Sequence, residues 1–396
     1  MSIDLVSKRS LFLNVAHFFD HMFMLIYATA VITIALEFKT GYGQLVALSA
    51  PSFILFGGMA LPFGWLGDKI GRHTLITIFY IGIGFSSILT GLSEGYWQIA
   101  FGLSAIGVFA AIYHPVGIPM LVQGIKKPGK VLGINGVFGN MGVAAAPLIV
   151  GIIGNVADWR WAFIAPGIIS VIIGILFWKT VKKDTPDKSA TTREAQKTDP
   201  MVSGWKHVLS VIAGVSLIGG LIFNSTTISL PKLFEERLDQ ISTNAWDFTI
   251  MASLVYAIAS MAQIAAGYAV DKFSAKRLML CLVGAQGIVF VLVSHSQGYF
   301  LFGLSLLGMC FVFGQIPIID TILTRYVPDS YRGRIFSLKY LLNLGVGAMA
   351  VPMIAYLHGS GAGFTVLFQV LSISAFLVFM FAATLPKQSK KKMSLT

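Results

Sequence analysis

The first long apolar run of the chain carries three ionisable side chains, His17, Asp20 and His21. On a helix, His17 and Asp20 share one stripe with Tyr27, and Asn14 and His21 lie beside that stripe. Asp20 is about nine residues into the run, which is roughly 14 Å deep and close to mid-bilayer. Burial disfavours an ionised carboxylate, and a neighbouring histidine can share or relay its proton. The stripe therefore predicts a proton-coupling site at Asp20 with His17.

The same residues allow a second interpretation, a metal site. His17 and His21 are four positions apart, and this helical spacing can chelate a transition-metal ion. Asp20 would be the third ligand, since imidazole and carboxylate both suit such ions. The sequence favours proton binding, and the metal site stays open as the alternative.

Further polar residues interrupt other apolar runs. His114 precedes Pro115, which removes a backbone hydrogen bond and kinks a helix, so His114 is a third candidate for proton coupling. Asp320 either lines a cavity or pairs with Arg325 or Lys339. Hydrogen bonding between helices is the alternative role for the other candidates. The residues proposed to line a substrate cavity are Asn14, His21, Tyr27, Tyr113, Asn224, Gln315 and Asp320.

Composition indicates where these residues lie. The chain is 56% hydrophobic and only 12% charged, whereas soluble domains carry about 25% charged residues. The net charge of +12 comes from short clusters between apolar runs, which favours a membrane protein over a nucleic-acid partner. A membrane-spanning helix needs about 20 apolar residues. Twelve runs qualify: Leu11–Leu36, Gln44–Leu66, Thr74–Leu92, Trp97–Leu121, Val131–Val156, Trp161–Trp178, Val208–Leu230, Phe248–Val270, Leu278–His295, Tyr299–Leu323, Ile335–Leu357 and Phe364–Leu385.

Basic residues divide unevenly between the two sides of these runs. Of the 29 lysines and arginines, only four fall on the side opposite the termini: Lys39, Arg160, Lys232 and Arg237. Cytoplasmic loops carry the excess of basic residues. The pattern predicts that both termini are cytoplasmic, in what we expect to be a bacterial inner membrane.

The chain divides into two similar halves. A polar stretch over 179–204 lacks apolar periodicity and predicts a cytoplasmic linker between a bundle over 1–178 and a second over 205–396. Gly64 and the Asp68–Lys69 pair of the first half recur as Gly267 and Asp271–Lys272. We therefore expect an all-α membrane protein whose twelve transmembrane helices form two pseudo-symmetric six-helix bundles, with a solute site between them.

Gly64 to Arg72 reads Gly-Trp-Leu-Gly-Asp-Lys-Ile-Gly-Arg and resembles the Gly-x-x-x-Asp-Arg/Lys-x-Gly-Arg signature of the major facilitator superfamily. The resemblance covers essentially the whole chain. It implies that Asp68 and Arg72 latch the halves together on the cytoplasmic side, and that Asp271 and Lys272 do the mirrored job.

A narrower resemblance lies in the first and fourth spans. Tyr113-His114-Pro115, taken with His17 and Asp20, resembles the branch that contains fosmidomycin-resistance exporters. The chain places no lysine or arginine deep in its predicted spans, which argues against a strongly anionic substrate.

The expected function is secondary active transport. The chain has no GxxxxGK[ST], HExxH or GxSxG motif, which argues against an ATP-driven pump and against an enzyme. We expect alternating access with proton-coupled export of a drug or metabolite. The alternative is a uniporter or an importer of a metabolite or transition-metal ion. The expected partners are the bilayer and a small-molecule substrate, with no bound cofactor besides the coupling proton, no nucleic acid and a monomeric chain.

Overall fold

The structure, a computed structural model, describes residues 8–123, 125, 129–181, 201–242 and 244–386. The predicted linker therefore lies mostly outside the described residues. Among those residues the secondary structure is helical, with no strand. In the described part of the chain, eleven helices are long and apolar enough to cross a membrane, and the bent pair over 42–70 brings the number to twelve when it is counted as one span. The prediction of an all-α fold with twelve spans is confirmed.

The helices follow one another with short connections. They are α1 Lys8–Glu37, α2 Tyr42–Val46, α3 Ala50–Gly58, α4 Ala60–Ile70, α5 Arg72–Gly91, α6 Tyr96–Ala110, α7 Ile118–Val122, α8 Gly129–Val156, α9 Trp161–Thr180, α10 Trp205–Arg237, α11 Ala245–Lys272, α12 Ala275–His295, α13 Gly298–Tyr326, α14 Asp329–Gly345, α15 Gly347–Gly359 and α16 Gly363–Ala383.

Three spans are broken in the described part of the chain, and a proline lies at one of the breaks. The second span bends by 47° where α3 gives way to α4. In the fourth span, Pro115 sits in a π-helical turn, Tyr113–Gly117, that joins α6 to α7. The eleventh span breaks at Val346, between α14 and α15. Proline cannot supply the regular helix hydrogen bond, and π turns of this kind often mark functional sites.

The signature segment is more helical than its glycines suggested. Several glycines in so short a motif favour a loop, but α4 continues to Ile70 and α5 begins at Arg72. Gly71 alone makes the turn, with φ of 89°. That backbone conformation is costly for a residue with a Cβ, which is why glycine is needed at this position.

Large apolar side chains cover the outside of the bundle. The most exposed are Trp97, Val156, Phe101, Tyr299, Tyr356 and Leu36, each at least 73% exposed. Water-exposed surfaces rarely carry so many, and spans of this length need lipid around them. The protein is an integral, multi-pass membrane protein.

Small residues allow the helices to approach closely. A Cβ on Gly142 of α8 would collide with the backbone carbonyl of Phe18 on α1, and one on Gly139 would lie 2.7 Å from the His17 ring. Glycine on α8 therefore lets α1 pack directly against its backbone. This contact sets the position of the polar residues on α1.

The two halves are packed together at the end of the bundle away from the termini, here called the far end. Tyr42 of α2 lies against His358 of α15, with ring centroids 4.8 Å apart. A Cβ on Gly43 would be 2.8 Å from the carbonyl oxygen of Ala355. On the other side of the bundle, a Cβ on Gly154 of α8 would collide with the Trp246 ring of α11. The far end is closed by these contacts.

Candidate functional site

A central cavity lies between the two halves, with about 1180 Å³ of empty space that includes an open part. Spans one, two, four and five of the first half and spans seven, eight, nine, ten and eleven of the second contribute to its wall. The polar residues that line it are His17, His21, His114, Asn140, Ser216, Asn224, Thr227, Gln263, Gln286, Gln315, Lys339, Tyr340 and Asn343.

The face that α1 presents to this cavity differs from the predicted stripe. The α1 residues that line the cavity are His17, His21, Met24 and Leu25. They are four, three and one positions apart, a spacing that puts them on one face of the helix. Asp20 does not line it and is completely buried. The close contact between α1 and α8 turns Asp20 away from the cavity and towards the π turn of the fourth span.

His17 is held by residues of α8 and of the fourth span. Its Nδ1 donates to the backbone carbonyl of Asn135, at 2.8 Å. Its ring stacks on Tyr113 with centroids 4.8 Å apart. The Asn135 side chain in turn donates to Asn14, at 2.9 Å, and also bonds to the Tyr113 hydroxyl. These contacts fix the His17 ring while leaving its Nε2 without a hydrogen-bond partner among the described residues.

His114 lies in the π turn and faces Asp20. Its Nε2 is 3.2 Å from Oδ2 of Asp20, and the side chains are 6% and 0% exposed. The two atoms are close enough for an ion pair but are not aligned as a hydrogen bond. On its other side, the ring packs against Tyr340 of α14, with centroids 5.2 Å apart.

The three cavity histidines form one cluster, here called the histidine cluster: His17, His21 and His114. One ring nitrogen from each lies within 4.8 Å of those of the other two. Their ring centroids are 5.0 to 5.6 Å apart. The ligand set considered from sequence, His17 with Asp20 and His21, is therefore corrected: His114 takes the third position, and Asp20 lies behind it.

Several residues predicted to line the cavity lie elsewhere. Tyr27 is buried and donates to the carbonyl of Leu45, at 2.7 Å. Asn14 accepts from Asn135, and Tyr113 lies behind His17. Asp320 lies behind Lys339, its ion-pair partner. These four side chains are absent from the lining, whereas His21, Asn224 and Gln315 belong to it.

Lys339 is a buried basic residue that the sequence argument about the substrate did not take into account. Its side chain is 8% exposed, lines the cavity and donates to Asp320 of α13. Helix α14 begins at Asp329, six residues before the predicted start of this span, and its candidate membrane-spanning part begins at Leu338. Because Lys339 places a buried cation at the cavity wall, the sequence argument against an anionic substrate no longer holds.

Sequence reasoning also missed several amide side chains. Gln263, Gln286 and Asn140 line the cavity, and Gln315 donates to Gln286. Each interrupts an apolar run, and polar residues at membrane depth are functional candidates by default. The sequence therefore marked all of them as candidates, but it did not show which face of its helix each residue occupies.

The residues of the predicted latch lie at the end of the bundle that carries the termini. The Asp68 side chain is 76% exposed, and its carboxylate is 3.9 Å from the Arg72 guanidinium of the following helix. Asp271 and Lys272 are likewise exposed. Gly64 lies deeper, where a Cβ would contact Pro115 at 3.4 Å. In this structure, closed at the far end, Asp68 is not buried against the second half.

Comparison with known families identifies one match over nearly the whole chain. The family model described as Major Facilitator Superfamily matches residues 13–246 and 238–395. The sequence resemblance to this superfamily is thereby confirmed.

Curated relatives are distant in sequence, but the matches extend over most of this chain and most of each relative. The Multidrug resistance protein MdtG of Proteus mirabilis (strain HI4320) is 22% identical over 83% of this chain and 82% of the relative. The Na(+), Li(+), K(+)/H(+) antiporter of Planococcus maritimus is 22% identical over 91% of this chain and 92% of its own. Neither relative tests the narrower resemblance to fosmidomycin-resistance exporters, which stays a prediction.

A solved structure shares the fold. The D-xylose-proton symporter superposes with a TM-score of 0.77 at 14% identity, covering 99% of this chain and 100% of that one. A likeness at this level of identity supports the architecture of two bundles around a central cavity. It carries no information about the substrate.

Proposed function

The chain belongs to the major facilitator superfamily, and we propose that it exports a small solute across a bacterial inner membrane by alternating access, in exchange for protons. It is a transporter and not an enzyme. One chain supplies both walls of the cavity, so we propose a monomer as the working unit. The basic residues favour a cytoplasmic location for the end that carries the termini.

The observation that carries the proposal is the cavity itself. Residues from both halves line it, and contacts between the halves close it at the far end. A carrier of this architecture exposes a fixed central site to one side at a time by rocking its halves against each other. This structure corresponds to the state closed at the far end, in which solute would enter or leave at the end of the termini.

The direction and the coupling ion are supported by relatives. One similar protein is named as a multidrug resistance protein and another as a cation/H(+) antiporter. The second name describes exchange of a cation for a proton, and drug resistance is what export of drugs would produce. The sequence assigned the coupling proton to Asp20, His17 and His114, and that assignment stays a prediction.

Proton exchange is testable in proteoliposomes that contain a trapped pH dye. Co²⁺, ethidium, benzoate and xylose represent a metal ion, an organic cation, an organic anion and a neutral solute. We expect one of these classes to move protons opposite to its own direction, at a rate that saturates with concentration. A saturable flux without proton movement would make the protein a uniporter, and a flux that does not saturate would make it a channel.

The latch gives a second prediction, at Asp68. By resemblance, Asp68 caps a helix start of the second half when the end of the termini closes, a contact worth roughly 0.3–2 kcal/mol. Asp68 is exposed in the present state, so Asp68→Asn should destabilise only the other state. A loss of about 1.4 kcal/mol shifts the ratio of states tenfold. We expect up to tenfold more of the state seen here and slower turnover.

A cysteine at Gly136 reports this shift, because Gly136 lines the cavity and a Cβ there meets only Gln263, at 3.8 Å. Its labelling from the side of the termini should increase in Asp68→Asn. Asp271→Asn is the matched control and should have a smaller effect, since Ala275 stands where the first half has Arg72. Equal labelling and equal transport rates in wild type and Asp68→Asn would refute the latch.

A further inference from the structure

We propose that the histidine cluster binds a divalent transition-metal ion, and that this ion is the cargo of the carrier. The role as cargo rests on the proposed function, whereas the binding site itself does not. The inference depends on three features of the cluster: which ring nitrogens are free, how far apart they are, and which charges surround them.

The hydrogen bond of His17 leaves one nitrogen free to bind a metal. A backbone carbonyl can only accept, so the bond to Asn135 places the ring proton on Nδ1. Nε2 then carries a lone pair, and it has no partner among the described residues although it is buried. A buried polar atom without a partner is costly, and a metal ion would remove that cost.

His114 also has a possible outer partner for one ring nitrogen, here a carboxyl group. Its Nε2 is 3.2 Å from Asp20, and its Nδ1 has no hydrogen-bond partner in the described part of the chain. Metal-binding histidines almost always donate their second ring N–H to a carboxylate or a backbone carbonyl, which fixes the tautomer and strengthens the ligand. His17 makes such a bond to a carbonyl, and the Asp20 carboxyl is near enough to Nε2 of His114 to accept one if the ring turns into line.

The spacing of the cluster fits a metal after a small movement. Three nitrogens at most 4.8 Å apart have a common centre no more than about 2.8 Å from each, whereas zinc–nitrogen bonds are about 2.0–2.1 Å. Each ring must therefore move by about 0.7 Å or less. His21 and the open part of the cavity can accommodate this change, and water or solute can complete the coordination.

Glycine on α8 provides the room for this site. A Cβ at Gly139 would lie 2.7 Å from the His17 ring, whereas a Cβ at Gly133 of the same helix would meet nothing within 4 Å. A side chain at position 139 would push the imidazole away from its place in the cluster. The two glycines thus form a matched pair for testing whether the position of His17 matters.

The charges around the cluster suit a borderline divalent ion. Imidazole ligands select zinc, cobalt, nickel, copper and iron, whereas magnesium and calcium prefer oxygen ligands. Asp20 lies behind His114, where its carboxylate would balance one charge of the ion once deprotonated. The nearby Lys339 does not oppose binding with its full charge, because its ammonium is paired with Asp320.

The test is a titration of purified, tag-free protein with Co²⁺ in detergent, followed by its ligand-field absorption. We expect one ion per chain, competition by Zn²⁺, and no competition by Mg²⁺ or Ca²⁺. His21→Ala should weaken binding at least tenfold and is expected to fold, since this ring faces the cavity. Asp20→Asn should weaken it about 10- to 100-fold by loosening His114. His295→Ala, outside the cluster, is the control.

The glycine pair separates ligand position from general damage. Gly139→Ala should weaken Co²⁺ binding and change its spectrum, while Gly133→Ala should leave both unchanged. Wild-type binding in the variant that lacks all three histidines of the cluster would overturn the proposal, as would a wild-type protein that binds no Co²⁺.

These outcomes are distinct from failure of the proposed function. Proton exchange with an organic solute in a protein that binds no Co²⁺ would remove the metal site and leave the transporter. Co²⁺ binding through the cluster, with no solute-dependent proton movement, would keep the site and remove proton-coupled transport.

Discussion

Asp320→Asn is expected to lower the free energy of unfolding by about 3 kcal/mol, because removing one partner of a buried ion pair leaves an uncompensated charge. The charge left behind is the ammonium of Lys339, whose side chain is only 8% exposed, whereas that of Asp320 is 29% exposed. Lys339→Met leaves the more exposed partner, Asp320, and should therefore lower the free energy of unfolding by less. Unfolding of the detergent-solubilised variants by increasing SDS measures both effects.

The double variant Lys339→Met with Asp320→Asn is the control for this pair. It removes both charges, so the protein should recover most of the stability lost in Asp320→Asn. The Lys339 ammonium also lies 5.0 Å from the Tyr340 ring centre, and that contact is lost in both variants that lack the lysine. If the single effects simply add in the double variant, the two charges do not stabilise each other.

Lys339 also shows what a sequence can predict about span boundaries. The apolar runs identified twelve spans because lipid imposes a length and a composition on each. The predicted eleventh span began at Ile335 and its apolar part in the structure begins at Leu338, whereas α14 itself begins earlier, at Asp329, in turns whose polar and basic residues resemble a loop. Hydropathy placed Lys339 near the start of the span, but only the packing around α14 reveals that its side chain lines the cavity and pairs with Asp320.

Asp20 shows what a sequence can predict about faces. The spacing of His17, Asp20 and His21 pointed to the helix that carries two histidines of the cluster. Periodicity fixes which side chains share a stripe but not which stripe faces the cavity. That depends on how α1 packs against its neighbours, such as the glycines of α8 that contact Phe18 and His17. His114 belongs to the cluster because it lies in a π turn. The proline that follows it predicts a kink, but not the geometry of the turn.

A disulfide across the far end should stop transport completely and reversibly. Rocking between two states requires the far end to open, and Gly151 of α8 lies against Thr249 of α11 there. A Cβ on Gly151 would be 3.3 Å from the Thr249 Cβ, close to the roughly 3.5–4.5 Å of a disulfide. Cysteines at both positions would therefore bridge the halves, and the threonine hydroxyl that crowds Gly151 would be gone.

The experiment starts from a chain in which Cys281 and Cys310, the two native cysteines, are replaced by serine. After oxidation, the double variant Gly151→Cys with Thr249→Cys should show turnover at the background of empty liposomes, and reduction should restore it. Each single variant, oxidised in the same way, should transport at its unoxidised rate. Co²⁺ should still reach the histidine cluster in the locked protein, since the lock leaves the other end free. Normal turnover with the disulfide verified by mass spectrometry would show that the far end need not open, and alternating access would have to be abandoned for this protein.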